Sequence, residues 1–105
     1  MIADAGGIFN ALNAVMTIRR SAIVDNRCVS ETVSNGGGVQ NVGTLSIIDS
    51  TISGNETQTL AGGLFNRRGD VTLIGCTLQG NQSGAGGAIV SEAIDSGLST
   101  TTLVN

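Results

Sequence analysis

The chain repeats one short pattern three times and begins it a fourth time, and this repetition limits its fold more than any other feature. The units open at Gly6-Gly7, Gly37-Gly38, Gly62-Gly63 and Gly86-Gly87. The second glycines follow one another at steps of 31, 25 and 24 residues. A period of this length is typical of solenoids, in which each repeat contacts only its neighbours. The sequence therefore predicts one array of repeats instead of a globular domain with a closed core.

Within a unit, apolar residues recur at every second position, which is the periodicity of a β-strand. Asn26, Asn55 and Asn81 close the first three units, and alignment backward from them gives three apolar groups: Met16, Leu45 and Val71; Ile18, Ile47 and Leu73; and Ile23, Ile52 and Leu78. The opening segments add Ile8, Val39, Leu64 and either Ala88 or Ile89. We expect all of these side chains to point inward, together with the small residues Ser21, Ser50 and Cys76.

Three short strands per unit, separated by bends, make one coil of a parallel β-helix. The predicted units span residues 6–35, 36–61, 62–85 and 86–105, which gives about three full coils and part of a fourth. Sixteen glycines and the absence of proline suit such bends and strands. We predict a single all-β segment. Residues 1–5 lack the charged and apolar regions of a secretory signal, and we expect the chain to be a fragment of a longer protein.

Asparagines recur at two fixed positions of the unit and should form two ladders along the axis. One ladder contains Asn10, Asn41 and Asn66, and the other contains Asn26, Asn55 and Asn81. Asparagine tolerates left-handed backbone angles, and its amide can bond the equivalent group one coil away. We therefore interpret both ladders as structural and not as catalytic.

The charged residues exclude several classes of function. The formal net charge is −3, and five arginines with no lysine make no basic stripe, so we expect no nucleic-acid partner. No apolar run is long enough for a transmembrane helix. Histidine is absent, and no two of the eight acidic residues fall at positions that would stack on adjacent coils. The acids thus form no pair for acid–base catalysis and no calcium site, and we predict no catalytic residue, no metal and no cofactor.

Two sets of exposed side chains are candidates for surface binding. Arg67 and Arg68 offer guanidinium groups that suit an anionic sugar or a partner's carboxylate, the alternative being an exposed turn without a binding role. Thr51 and Thr77 share one outward position, and Thr17, Ser46 and Thr72 share another. Flat hydroxyl arrays of this kind can bind ice, although Thr and Ser are also the ordinary residues of an exposed β-face.

The two cysteines occupy inequivalent places in their units, so stacking alone does not bring them together. Cys28 follows Asn26 by two residues, whereas Cys76 precedes Asn81 by five, and the spacing matches no zinc pattern. A disulfide and two separate thiols both stay open. The long connection after Asn26, residues 27–35, is either a functional excursion or a plain surface loop.

Residues 36–55 read Gly-Gly-Gly-Val-Gln-Asn-Val-Gly-Thr-Leu-Ser-Ile-Ile-Asp-Ser-Thr-Ile-Ser-Gly-Asn. This unit resembles the repeats of right-handed parallel β-helix proteins of the pectate-lyase-like superfamily. More narrowly, it resembles the repeats of bacterial surface proteins related to polymorphic outer-membrane protein passengers. Gly86-Gly87-Ala88-Ile89 matches the Gly-Gly-Ala-Ile tetrapeptide of that group. The resemblance covers nearly the whole chain.

The resemblance implies a secreted or cell-surface passenger region that serves in adhesion or as a stalk, with glycans or a host or cell-surface protein as partners. We therefore expect a non-catalytic structural or adhesive module. One alternative is a fragment of a carbohydrate-active enzyme, similar to polysaccharide lyases and hydrolases, whose active site would lie outside this segment. Another is an ice-binding β-solenoid. Open strand edges at both ends are also expected to permit end-to-end self-association.

Overall fold

The computed structural model describes residues 2–3, 6–29, 33–34, 36–84, 87–92 and 100–104. The described residues form fifteen strands and no helix. Strand β1 (Ile2–Ala3) precedes the first unit, which contains β2 (Ile8–Asn10), β3 (Val15–Arg19), β4 (Ala22–Val24), β5 (Arg27–Cys28) and β6 (Val33–Ser34). The second contains β7 (Val39–Asn41), β8 (Thr44–Ile48), β9 (Thr51–Ser53) and β10 (Glu56–Thr57). The third contains β11 (Leu64–Arg67), β12 (Asp70–Ile74) and β13 (Thr77–Gln79), and the fourth contains β14 (Ile89–Glu92) and β15 (Thr100–Val104).

Strands of successive units stack into three main parallel sheets. The first sheet has the order β2-β7-β11-β14, the second β3-β8-β12-β15 and the third β4-β9-β13. Two small sheets pair β5 with β10 and β1 with β6, also in parallel. Each strand of the main sheets thus pairs with its counterpart one unit away, and the chain returns to the same three sheets once per unit. This arrangement fits a β-solenoid and confirms the predicted all-β class with parallel strands.

The strand register confirms the predicted alignment of the apolar positions. The pairs along the second sheet are Met16–Leu45–Val71 and Ile18–Ile47–Leu73, and those along the third are Ile23–Ile52–Leu78. One buried core contains most members of these stacks and two residues of the first sheet: Ile23, Leu45, Ile47, Ile52, Val71, Leu73, Val39 and Leu64. Full burial of one such side chain contributes about 1.5–3 kcal/mol to the stability of the fold. The core runs as a narrow column between the sheets.

The fourth unit is displaced by one residue from the alignment that its glycine pair suggests. The N–H of Gly62 donates to the carbonyl oxygen of Gly87, and the N–H of Gly63 donates to that of Ala88. Leu64 accordingly pairs with Ile89. A slip of one residue exchanges the two faces of a strand, and the glycine alignment would have turned the larger apolar side chain of Ile89 outward. Ile89 therefore takes the inward position, and Ala88 does not.

The recurring glycine pair permits a close approach of two backbones. A Cβ atom on Gly37 would lie 2.6 Å from the carbonyl oxygen of Glu56, and one on Gly38 would lie 2.9 Å from the side-chain amide of Asn55. Any other residue at these positions would push the first sheet away from the Asn ladder beside it. The pair is thus explained by packing within the repeat.

The middle of the first sheet is buried on both faces, which the inward-apolar, outward-polar pattern did not predict. Gln40 and Phe65 occupy the outward positions of β7 and β11, yet each is only 1% exposed. Cys28 and Thr57, which pair between β5 and β10, are buried as well. The second and third sheets differ, since their outward side chains reach solvent. Surface chemistry is therefore concentrated on those two sheets and on the bends.

Candidate functional site

The first asparagine ladder joins the end of the first sheet to the bend that follows it. The Asn10 side-chain Nδ2 donates to Asn41 Oδ1 at 2.8 Å, and Asn41 Nδ2 donates to Asn66 Oδ1 at 3.0 Å. The same amides donate to bend carbonyls, as Asn41 does to Gly43 and Asn66 does to Gly69, each at 2.9 Å. All three asparagines are at most 2% exposed. Their amides are thus occupied inside the repeat.

The second ladder has the same chemistry at the end of the third sheet. Both the backbone N–H and the Nδ2 of Asn26 donate to Asn55 Oδ1 at 3.0 Å. The corresponding groups of Asn55 donate to Asn81 Oδ1 at 3.1 and 3.0 Å. Asn55 Nδ2 also donates to the carbonyl oxygen of Ile23 at 2.9 Å. These bonds satisfy backbone groups of the bend that would otherwise lack hydrogen-bond partners. The bonds of this ladder therefore hold the repeat together and leave no ladder amide directed at a ligand.

The outer face of the second sheet carries the longest row of hydroxyl groups. The register aligns Thr17, Ser46, Thr72 and Thr102, one from each of the four units. Equivalent side chains on adjacent strands are about 4.8 Å apart. On the third sheet, Thr51 and Thr77 pair with each other, but Ala22 precedes them and only two hydroxyls adjoin. The sequence predicted three members of the longer row but not Thr102, because the closing asparagines that align the repeats belong to the first three units.

An aliphatic row runs beside these hydroxyls on the same face. It consists of Ile48, Ile74 and Val104, preceded by Arg19 in the first unit. Ile74 is 38% exposed and Val104 is 47% exposed. Methyl and hydroxyl groups thus alternate across a regular surface that faces solvent.

Arg67 and Arg68 are adjacent in sequence but lie in different surroundings. Arg67 ends β11, is half-buried and pairs in register with Glu92. Arg68 follows in the bend, is exposed and has a φ angle of 65°. Within the described ranges, the ion pair found is Arg27 Nε–Glu56 Oε1 at 3.6 Å, between exposed side chains, where such a pair contributes about 0–1 kcal/mol. The guanidinium groups of Arg67 and Arg68 therefore carry no carboxylate partner in this part of the chain.

A small depression, here called the corner notch, lies where the first sheet bends into the second. Its lining consists of Leu12, Asn13, Val42, Gly43, Thr44, Arg68, Gly69 and Asp70, and its volume is about 180 Å³. Unequal bends produce it. Between the Asn ladder and the next strand lie residues 11–14 in the first unit, 42–43 in the second and 67–69 in the third. The connection in the second unit is thus the shortest of the three.

The described acids do not form a cluster. Their register neighbours are not acidic: Asp70 lies between Thr44 and Thr100, and Glu56 pairs with Arg27. The carboxylate of Asp49 lies against Gly75, and that of Asp25 lies against Gly54. No group of three metal-ligating side chains occurs among the described residues. Asp4, Glu31 and Asp95 lie outside them.

Both cysteines are free thiols. Cys28 is buried, whereas Cys76 is half-buried and its Sγ donates to the carbonyl oxygen of Ile47 at 3.2 Å. Cys76 falls at the position of Ser50, whose hydroxyl also bonds a backbone carbonyl. The disulfide that the sequence left open is therefore not formed.

Comparison with known proteins returned no match, whether against family models, curated proteins or solved structures. No helix in the described part of the chain is both long and apolar enough to cross a membrane.

Proposed function

We propose that this chain is a segment of a right-handed parallel β-helix and serves as a non-catalytic structural or adhesive module of a secreted or cell-surface bacterial protein. Parallel strands that return to the same sheet once per unit support the helix, because connections between parallel strands of one sheet are right-handed in about 98% of cases. The bacterial surface location rests on the resemblance of the repeats to outer-membrane passenger proteins.

The observation that carries the proposal is the division of polar groups between the interior and the surface. The ladder asparagines bond to one another and to bend carbonyls. Hydroxyl and charged side chains of the second sheet and its bends face outward and are open to a partner. A rigid scaffold whose regular outer face presents unoccupied polar side chains suits binding of a repetitive partner such as a glycan.

A binding screen of the purified chain tests this proposal. The chain is applied to a glycan array and to intact cells, and each glycan that binds is then incubated with the chain and sized by chromatography. We expect saturable binding with no shortening of the glycan. Glycan cleavage would contradict the non-catalytic proposal in favour of a carbohydrate-active enzyme, and the absence of binding to both array and cells would contradict adhesion.

Ice binding is a second candidate, favoured by the four-membered row Thr17, Ser46, Thr72 and Thr102 beside exposed methyl groups. The test is inhibition of ice recrystallisation by the chain and by two variants. Thr72→Tyr places a ring in the middle of the row, and Thr77→Tyr places one on the third sheet as the matched control. Inhibition that only Thr72→Tyr removes would support ice binding, and an inactive parent chain would eliminate it.

A further inference from the structure

The polar side chains that line the corner notch are not occupied elsewhere. Asn13, Thr44, Arg68 and Asp70 are all exposed, and none of their side chains has a hydrogen bond or ion pair within the described ranges. One amide, one hydroxyl, one guanidinium and one carboxylate thus converge on a single depression. They come from three successive units, so the notch exists only when the repeats are stacked.

The backbone beneath the notch is fixed, which gives these side chains a stable base. The N–H of Thr44 donates to the carbonyl oxygen of Ala14, and the N–H of Asp70 donates to that of Gly43, each at 2.9 Å. The ladder amide of Asn41 holds Gly43 from inside. A Cβ atom on Gly69 would lie 2.5 Å from the Asn41 amide nitrogen, so the backbone that forms the floor of the notch is tightly packed. The notch is therefore a preformed feature of the bend.

The size and chemistry of the notch limit what it can hold. A volume of about 180 Å³ corresponds to about six water molecules at ~30 Å³ each, which suits one small polar ring and not a drug-sized ligand. Asp70 stands beside Arg68, and the chain has a net charge of −3, so an isolated anion such as phosphate is disfavoured. A cation would find one carboxylate, since no metal-ligating cluster is present among the described residues.

The remaining ligand class must offer several adjacent hydroxyl groups together with an apolar face. Carboxylate and amide oxygens accept hydrogen bonds from hydroxyls, while guanidinium and amide N–H groups donate to their oxygens. Leu12, which is 60% exposed, supplies an apolar wall. We propose that the corner notch binds one pyranose ring of a neutral glycan chain, with Asp70 and Arg68 as the principal hydrogen-bonding groups. The inference rests on the proposed adhesive function, to which it adds the ligand class and the position of the site.

The test measures binding of neutral oligosaccharides to the full chain and to four variants. Asp70→Asn removes the carboxylate charge at unchanged side-chain size, and Arg68→Gln replaces the guanidinium group by a shorter, neutral amide. Asp49→Asn and Arg20→Gln are the controls, because Arg20 and Asp49 are an exposed arginine and an exposed acid at the bend between the second and third sheets. Arg20 has a positive φ angle of 46°, as Arg68 has one of 65°. Circular dichroism checks that each variant is folded.

We expect each notch variant to weaken binding about tenfold, the loss typical of one charge-assisted hydrogen bond, and each control to bind as the parent does. In the NMR spectrum, the oligosaccharide should shift the backbone amides of Asn13, Gly43 and Gly69. Binding that all four variants retain would overturn the notch as the site and leave the adhesive function standing. Binding of acidic glycans alone, or of cells but of no neutral glycan, would overturn the ligand class.

Discussion

Replacing Asn55 by alanine should remove a large part of the stability of the chain. Asn55 is fully buried, and its side chain takes part in four hydrogen bonds: Oδ1 accepts from the backbone N–H and Nδ2 of Asn26, and Nδ2 donates to Asn81 Oδ1 and to the Ile23 carbonyl. At about 1 kcal/mol each, their loss lowers the free energy of unfolding by about 4 kcal/mol. The total free energy of unfolding of a chain of this length is about 5–15 kcal/mol.

The matched control is Asn26→Ala in the same ladder. The Asn26 side chain is half-buried and makes one hydrogen bond within the described chain, so its removal should cost about 1 kcal/mol. Both variants are compared with the parent by thermal and urea unfolding, followed by circular dichroism. The midpoint of thermal unfolding should fall by about 15–30 °C for Asn55→Ala and by about 4–8 °C for Asn26→Ala. If Asn55→Ala costs no more than Asn26→Ala, the ladder does not hold the coils together as described.

Three further variants test the buried core, the close backbone contact at the glycine pair and the two adjacent arginines Arg67 and Arg68. Leu73→Asp buries a carboxylate in the interior column, and we expect loss of the cooperative thermal transition; its retention would refute the inward register. Gly37→Ala forces a Cβ atom against the carbonyl oxygen of Glu56, so urea unfolding should show a loss of about 1–3 kcal/mol. Replacing Arg67 and Arg68 together by alanine should change the unfolding free energy by less than about 1 kcal/mol, and a chain that no longer melts cooperatively would show that these arginines are structural.

Much of the interior could be predicted from the sequence, because stacking repeats like residue on like residue. Once the closing asparagines were aligned, Leu45 fell beside Val71 and Ile47 beside Leu73, and the structure pairs them in that way. The sequence left open whether Ala88 or Ile89 faces inward, because the glycine pair and the apolar pattern of the fourth unit differ in alignment by one residue. Ile89 had to face inward with Leu64, and a glycine offers no side chain that could fix the register.

The surface was harder to predict, since it depends on differences between units and not on what they share. Gln40 and Phe65 are buried although the strand periodicity places both on the outward face. The corner notch left a signal in the sequence, namely the unequal number of residues between each ladder asparagine and the next strand. That signal amounts to one or two residues, whereas the connection at residues 27–35 is much longer and for that reason was the predicted place of a functional excursion.

The central claim is that successive units pair in parallel, one coil apart, and backbone NMR tests it most directly. Isotope-labelled chain should show cross-strand contacts between Ile47 and Leu73 in the second sheet and between Ile52 and Leu78 in the third, with the pattern of parallel strands. Antiparallel contacts, or contacts that join strands of the same unit in place of these, would contradict the stacked repeat and with it both the ladders and the corner notch.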